Sequence, residues 1–274
     1  MDCDLVAIEA SVARIGSDRH YPEERPARLV ETPGFRIARR PVSNADFADF
    51  AAATGYVTAA EALVTGGSIC FTQPLGPVAL NDPRGWWRHD REACWRAPEG
   101  AGSTIEGRMS HPVVHVSLRD AEAYAAWAGL RLPTEIEWEV AARGGLADAE
   151  FAWGEELLPQ GRPPANFWTG SFPWHYSRGG RPGPSAPGQY PPNLFGLFDM
   201  IGNVWEWTSS PFDRRSTRCC SGTATENEAR LWTLKGGSYL CAAEYCARYR
   251  PAARMGLAAL SAAGHIGFRC AADV

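Results

Sequence analysis

His111–Gly145 reads HPVVHVSLRDAEAYAAWAGLRLPTEIEWEVAARGG, and its reading decides most of the fold. Ser117 precedes an apolar stripe of Ala121, Tyr124, Ala125 and Ala128, with Asp120 three residues on and Gly129 as a stop. A hydroxyl at the N-cap and a carboxylate at the third helical position each satisfy a free N–H, so the pattern predicts a short capped helix. Thr134 and Glu137 repeat the device before a Trp138/Ala141/Ala142 face that closes at Gly144. Upstream, Ser43 and Asp46 open a third helix, with Phe47, Phe50 and Ala51 on one face and Gly55 at its end. Three short amphipathic helices are expected, each laying one face on a core. HPVVHVS reads as a buried strand, which would put His111 and His115 ~13 Å apart, too far to share a metal.

Outside these helices regularity is scarce. Pro159 to Asn193 is dense in Pro and Gly and shows no periodicity, which marks a long loop. Short strands are expected in LWTLKGGSYL (Leu231–Leu240) and HIGFRCAAD (His265–Asp273). The chain has 274 residues, with 28 Gly, 21 Pro and 11 Trp, a composition of many turns pinned by large rings. No linker divides it and no repeat recurs, so the expectation is one irregular α+β domain over residues 1–274. The net charge of −4 lacks the basic excess of a nucleic-acid binder. No apolar run is long enough to span a membrane as a helix. MDCDLVAIEASVARIGS has neither a basic start nor a long apolar run, so a cytoplasmic protein is expected. Its cysteines, at positions 3, 70, 94, 219, 220, 241, 246 and 270, are too uneven for a disulfide scaffold. The adjacent Cys219 and Cys220 read as incidental.

Chemistry concentrates in LKGGSYLCAAEYCARYRPAAR (Leu234–Arg254). A strand would separate Cys241 and Cys246 by about 17 Å on opposite faces, and a helix would turn them about 140° apart. Only a bend between Leu240 and Cys246 brings both sulfurs together. The pair is then two ordinary thiols, a disulfide, a redox pair, or a soft-metal site suited to Cu(I). Arg248, Arg250 and Arg254 would favour thiolates if they point inward. DMIGNVWE offers the carboxylates of Asp199 and Glu206 with the carbonyls of Gly202 and Val204, an all-oxygen set that suits Ca2+ or a capped turn.

HPVVHVSLRDAEAYAAWAGLRLPTEIEWEVAARGG, FAWGEE, ANFW, PPNLFGLFDMIGNVWEWTSS, LKGGSYLC and GFRCAAD follow one another as they do in the sulfatase-modifying-factor family. The resemblance runs from about Ile8 to the carboxyl terminus. RLPTEIEWE and GNVWEW mark the broad family, whereas GGSYLCAAEYCARYR resembles the narrower formylglycine-generating branch. That resemblance implies a C-type-lectin-like fold. It also implies O2-dependent oxidation of a cysteine, in a Cys-x-Pro-x-Arg context of a sulfatase polypeptide, to Cα-formylglycine. Cys241 and Cys246 would then hold Cu(I), with the substrate cysteine as a third thiolate arriving nearer Cys246. Ser238 and Trp205 match positions lining the oxygen pocket, and Asp199, Gly202, Val204 and Glu206 match a calcium site. A second calcium site of the family begins at positions matched by Asn166 and Phe167, but its acidic residue is replaced here by Gly180, so one calcium is expected. Half-cystine positions of secreted animal members are matched by Ala125, Ala142, Pro251 and Cys270, so neither bridge forms. A monomer is expected.

The match thins between Arg254 and Gly267. MGLAALSAAGHIG stands where the family carries a polar run facing substrate; Ser261 survives, but Leu260 and His265 replace an acidic residue and an Asn. Arg254, Ser261 and His265 are the substrate-binding candidates. Replacing hydrogen-bonding groups by Ala and Leu in a peptide groove costs binding or changes the partner. Two alternatives therefore stand beside a sulfatase substrate: the same copper-thiolate chemistry on another thiol or peptide, and a non-catalytic lectin-like binding module. The related iron-dependent sulfoxide synthases need a His-rich iron site, and no helical His/Glu cluster appears here.

Overall fold

All three expected helices form where their caps place them. The computed structural model describes residues 4–62, 66–213 and 230–274. In chain order these hold β1 (Leu5–Ile8), β2 (Ser11–Ile15), β3 (Arg28–Thr32), β4 (Phe35–Ala38) and α1 (Asn44–Thr54). There follow β5 (Ser68–Phe71), β6 (Trp87–Asp90), α2 (Leu118–Trp127) and α3 (Glu135–Arg143). The C-terminal part supplies β7 (Trp205–Pro211), β8 (Leu231–Lys235), β9 (Arg254–Ala258), β10 (Ile266–Phe268) and β11 (Ala271–Asp273). Cys3, Cys219 and Cys220 lie outside the described residues.

Each helix carries a complete capping box. Ser43, Ser117 and Thr134 accept from the N–H of Asp46, Asp120 and Glu137, and the three carboxylates answer the cap N–H groups. The helices α1 and α3 end at Gly55 and Gly144, both left-handed at φ 68° and 58°, as the missing Cβ permits.

The sheets are small. One has the order β1-β4-β11, another β10-β7-β8-β9, and β2-β3 and β5-β6 are separate two-stranded ribbons. In the larger sheet β10 runs parallel to β7 while β8 runs antiparallel to both β7 and β9. Phe47, Phe50, Tyr124 and Phe268 interlock at centroid distances of 5.3 to 6.4 Å, tying α1 and α2 to β10. A second cluster of Trp86, Trp168, Phe172, Tyr239, Leu240 and Ala242 covers the cysteine segment.

HPVVHVS is not a strand. Its Val113 N–H donates to Val42 O at 2.9 Å and its His115 N–H to Ala263 O at 3.1 Å. With two unrelated partners, and with His115 at φ 60°, no ladder can propagate. Pro159 to Asn193 is the expected loop, broken only by a 3-10 turn at Pro159–Gly161.

Candidate active site and metal centres

The cysteine segment begins where β8 stops. Gly236 and Gly237 take φ 95° and 74°, and a Cβ on Gly237 would lie 2.6 Å from Arg248 O. The bare backbone therefore lets the entry and exit of the segment run side by side. Between them the N–H groups of Tyr245, Cys246 and Ala247 all converge on Ala242 O, at 3.2, 3.0 and 2.9 Å. This tight turn is the bend that the spacing demanded, and Ala247 leaves it at φ 38°.

The turn brings the two sulfurs into hydrogen-bonding contact with each other, and the Arg248 N–H donates to both. Ser238 N–H reaches Cys241 Sγ at 3.4 Å. Burial pushes the Cys241 thiol well up, with Cys246 adding to it. The hydrogen bond from Cys241, helped by the Ala242 and Arg248 N–H groups and the Arg248 charge, draws Cys246 below an ordinary thiol. Of the two thiols, Cys246 is therefore the one that ionises first.

Elements on two sides hold the turn. The Trp168 N–H donates to Cys241 O at 3.0 Å, and the Phe172 N–H to Glu244 Oε1 at 2.6 Å. The Tyr245 ring stacks on Phe172 at 4.7 Å and meets Trp86 edge-on at 5.4 Å. On the opposite side lies the N-terminal segment with Tyr21, Glu23 and Glu24, three residues that sequence reading passed over. Its sole signal was charge: adjacent acids in YPEER match the alternating Arg248 and Arg250 in ARYR.

The other site residues separate into those near the turn and those away from it. Ser238 and Trp205 are both buried. Trp205 N–H donates to His265 O at 2.8 Å, and Tyr239 N–H to Asn203 O at 2.9 Å, so β7 and the segment after β8 share this corner. His265 stacks on Trp87 at 4.8 Å, and its Nδ1 is buried with no hydrogen-bond partner. Ser261 sits on the turn after β9, its N–H bonded to Ala258 O. Arg254 is only 2 % exposed and clasps Glu135 at 2.7 and 2.8 Å. Its guanidinium points into the α3 side of the core, and Arg250 likewise turns away to pair with Glu24 at 2.7 Å. Of the three arginines, Arg248 alone adds its charge to the forces on Cys246.

The candidate calcium centre lies at the start of β7. Glu206 is clasped by Arg269 at 2.7 and 2.8 Å and accepts from Trp138 Nε1 at 2.7 Å. Asp199, at φ 53°, has Oδ2 buried without a partner. Burial pushes its carboxyl up to about 7, against the pull of Arg269 and with the repulsion of Glu206. Asp199 Oδ2, a buried carboxylate oxygen with no donor, fits a cation such as Ca2+, whereas both Glu206 oxygens are already taken by Arg269.

The second calcium position does not fit. There the guanidinium of Arg178 donates to Ala165 O and Phe167 O at 3.2 and 2.9 Å, with Tyr190 Oη as a further partner. The positive charge a metal would bring is already supplied by the side chain. Among the described residues no three His, Cys, Asp or Glu side chains converge as a metal cluster.

Known proteins share this architecture and this sequence. The family described as "Sulfatase-modifying factor enzyme 1-like domain" matches residues 3–274. The formylglycine-generating enzyme of Mycobacterium tuberculosis is 48% identical over 293 residues, covering 98% of each chain. That of Thermomonospora curvata is 47% identical over 290 residues, covering 98% of this chain and 93% of its own. Among solved structures, PvdO from Pseudomonas aeruginosa superposes with a TM-score of 0.68 at 24% identity, covering 98% and 94% of the two chains. At that identity it speaks for the fold alone, which is C-type-lectin-like with few helices and several small sheets. On sequence, fold and the paired cysteines together, the chain belongs to the sulfatase-modifying factor family.

Proposed function

We propose that this protein is a copper-dependent oxidase that converts a cysteine of a sulfatase polypeptide, in a Cys-x-Pro-x-Arg context, to Cα-formylglycine with O2. The observation that carries the reading is the turn that holds Cys241 and Cys246 sulfur to sulfur under one shared N–H donor. Two sulfurs make a soft donor set that suits Cu(I), and a substrate thiol is the natural third ligand. When bound, copper would supply the one-electron chemistry that lets O2 react with a closed-shell thiolate.

The remaining steps belong to the chain. The Ala242 and Arg248 N–H groups favour the thiolate of Cys246, while burial holds the Cys241 thiol up, so Cys241 would have to give up its proton for Cu(I) to be held by both sulfurs. Ser238 lies against the Cys241 sulfur through its N–H, and Ser238 and Trp205 are both buried; where water is excluded, polar contacts strengthen. The balance is a Cβ thiol plus O2 and two reducing equivalents from other thiols, giving the aldehyde, hydrogen sulfide, water and a disulfide. Asp199, Gly202, Val204 and Glu206 would hold Ca2+ and so brace the start of β7, which carries Trp205, with Glu206 sharing its carboxylate with Arg269. None of the described cysteines is in a disulfide, which suits a cytoplasmic setting.

Anaerobic Cu(I) loading followed by incubation with a Cys-x-Pro-x-Arg peptide and O2 tests the proposal. The peptide must lose its thiol and gain a hydrazide-reactive aldehyde, and Cys246→Ser must abolish both. A second reading, the same chemistry on another thiol, is favoured by Leu260, which is 65% exposed where a polar side chain would meet a peptide. Tight copper binding with no turnover of that peptide would select it.

A further inference from the structure

The segment Ser17–Ala27 closes on itself and lies across the exit of the cysteine turn. Glu24 N–H donates to Tyr21 O at 3.0 Å, Arg25 N–H to Pro22 O at 3.2 Å, and Ser17 N–H to Glu24 O at 3.2 Å. From this loop Tyr21 Oη donates to Cys246 O at 2.7 Å, across 225 residues of sequence. The Arg248 guanidinium lies over the Tyr21 ring, Cζ 4.0 Å from its centroid, and donates to Glu23 Oε1 at 2.6 Å. Behind it Arg250 and Glu24 form a buried two-pronged pair at 2.7 and 2.7 Å, which anchors the loop to the same stretch of chain.

The Cys241–Cys246 turn is built from Ala, Ala, Glu and Tyr; Ala242 O holds the Ala247 N–H end of its exit peptide at 2.9 Å, while the other end, the Cys246 carbonyl, finds its partner outside the turn in Tyr21. The Cys246 carbonyl belongs to the peptide plane that leads into Ala247 at φ 38°, a region that L residues avoid. Rotating that plane would swing the following Arg248 N–H away from the two sulfurs it meets. The Tyr21 hydrogen bond to the carbonyl anchors the second end of this plane against rotation.

We propose that Tyr21 is a positioning residue for the cysteine pair: through the Cys246 carbonyl, and with Glu23 holding Arg248 against its ring, it fixes the distance between the sulfurs. The loop is a strap that pre-organises two thiols a flexible turn would let drift apart. This inference rests on the pair being the reactive centre, and its test separates the two claims.

The reduction potential of the Cys241–Cys246 pair, poised against glutathione with the metal absent, reads the effective concentration of one thiol at the other. Tyr21→Phe keeps the ring and removes the donor. It is expected to disfavour the disulfide about tenfold, a shift of ~30 mV toward a more oxidising couple. Anaerobic competition should show Cu(I) affinity falling by about the same factor. Glu23→Gln should move both in the same direction by less. Tyr56→Phe, which removes the Tyr56–Asp120 hydrogen bond of 3.1 Å, is the control: it should lower the melting temperature and leave the potential unchanged. A Tyr21→Phe protein that melts lower but has the wild-type potential would overturn the proposal and leave Tyr21 as packing. If the potential shifts while wild type binds Cu(I) no more tightly than Cys246→Ser, the strap stands and the copper reading falls.

Discussion

Arg254 and Glu135 meet in a buried two-pronged ion pair, Nε to Oε1 at 2.7 Å and Nη2 to Oε2 at 2.8 Å. Lys235 reaches the same carboxylate at 3.8 Å and binds Glu139 at 2.9 Å, and Arg143 closes on Glu139 at 2.8 Å. This network joins α3 to β8 and β9, the two strands that flank the cysteine segment.

Removing Arg254 leaves the buried Glu135 carboxylate with only Lys235, 3.8 Å away, so Arg254→Ala is expected to cost about 3 kcal/mol. Arg254→Ala combined with Glu135→Ala should cost less than the sum of the single changes. Urea denaturation of the three variants measures this. A stable Arg254→Ala protein with only a raised peptide KM would instead place Arg254 in substrate binding.

Calcium should bind once per chain. With the ion at 100 times its Kd, folding gains about 2.7 kcal/mol, read as a calcium-dependent rise in melting temperature. Asp199→Ala should erase that rise. Elemental analysis should find one calcium, not two, because Arg178 already occupies the Phe167 carbonyl.

Acid stability should be governed in part by a buried histidine. Burial pushes His115 down to about 4, with its Nε2 held by Pro98 O at 2.8 Å. Between its unfolded value near 6.5 and about 4 the unfolded chain binds the proton and the folded chain does not. Stability is therefore present above pH 6.5 and falls as pH drops through this window. At pH 5 the loss from this group is about 2 kcal/mol. Urea midpoints at pH 5 and 7 should differ less in His115→Asn, which also tolerates the left-handed backbone.

The aromatic loop should loosen when Glu244 is removed. Glu244→Ala takes the acceptor from the Phe172 N–H and with it the pin beneath Tyr245. Hydrogen exchange at residues 168–176 should quicken by about fivefold, as loss of about 1 kcal/mol implies. Unchanged exchange would show that ring stacking alone holds the loop.

Sequence alone determined what is local. The three helices were legible because each cap satisfies its own first turn within four residues, whatever surrounds it. The bend between Cys241 and Cys246 was legible because strand and helix geometry both forbid their sulfurs to meet. Motif order carried the family. Tertiary structure decided what depends on distant partners. His115 was read as part of a strand, since nothing nearby shows that Val42 and Ala263 compete for its segment. The pairing of Arg254 with Glu135 was not legible, since only folding brings that carboxylate, 119 residues away, to its guanidinium. The hold of Tyr21 on Cys246 spans nearly the whole chain and follows no period, so it exists only once the two ends have been packed together.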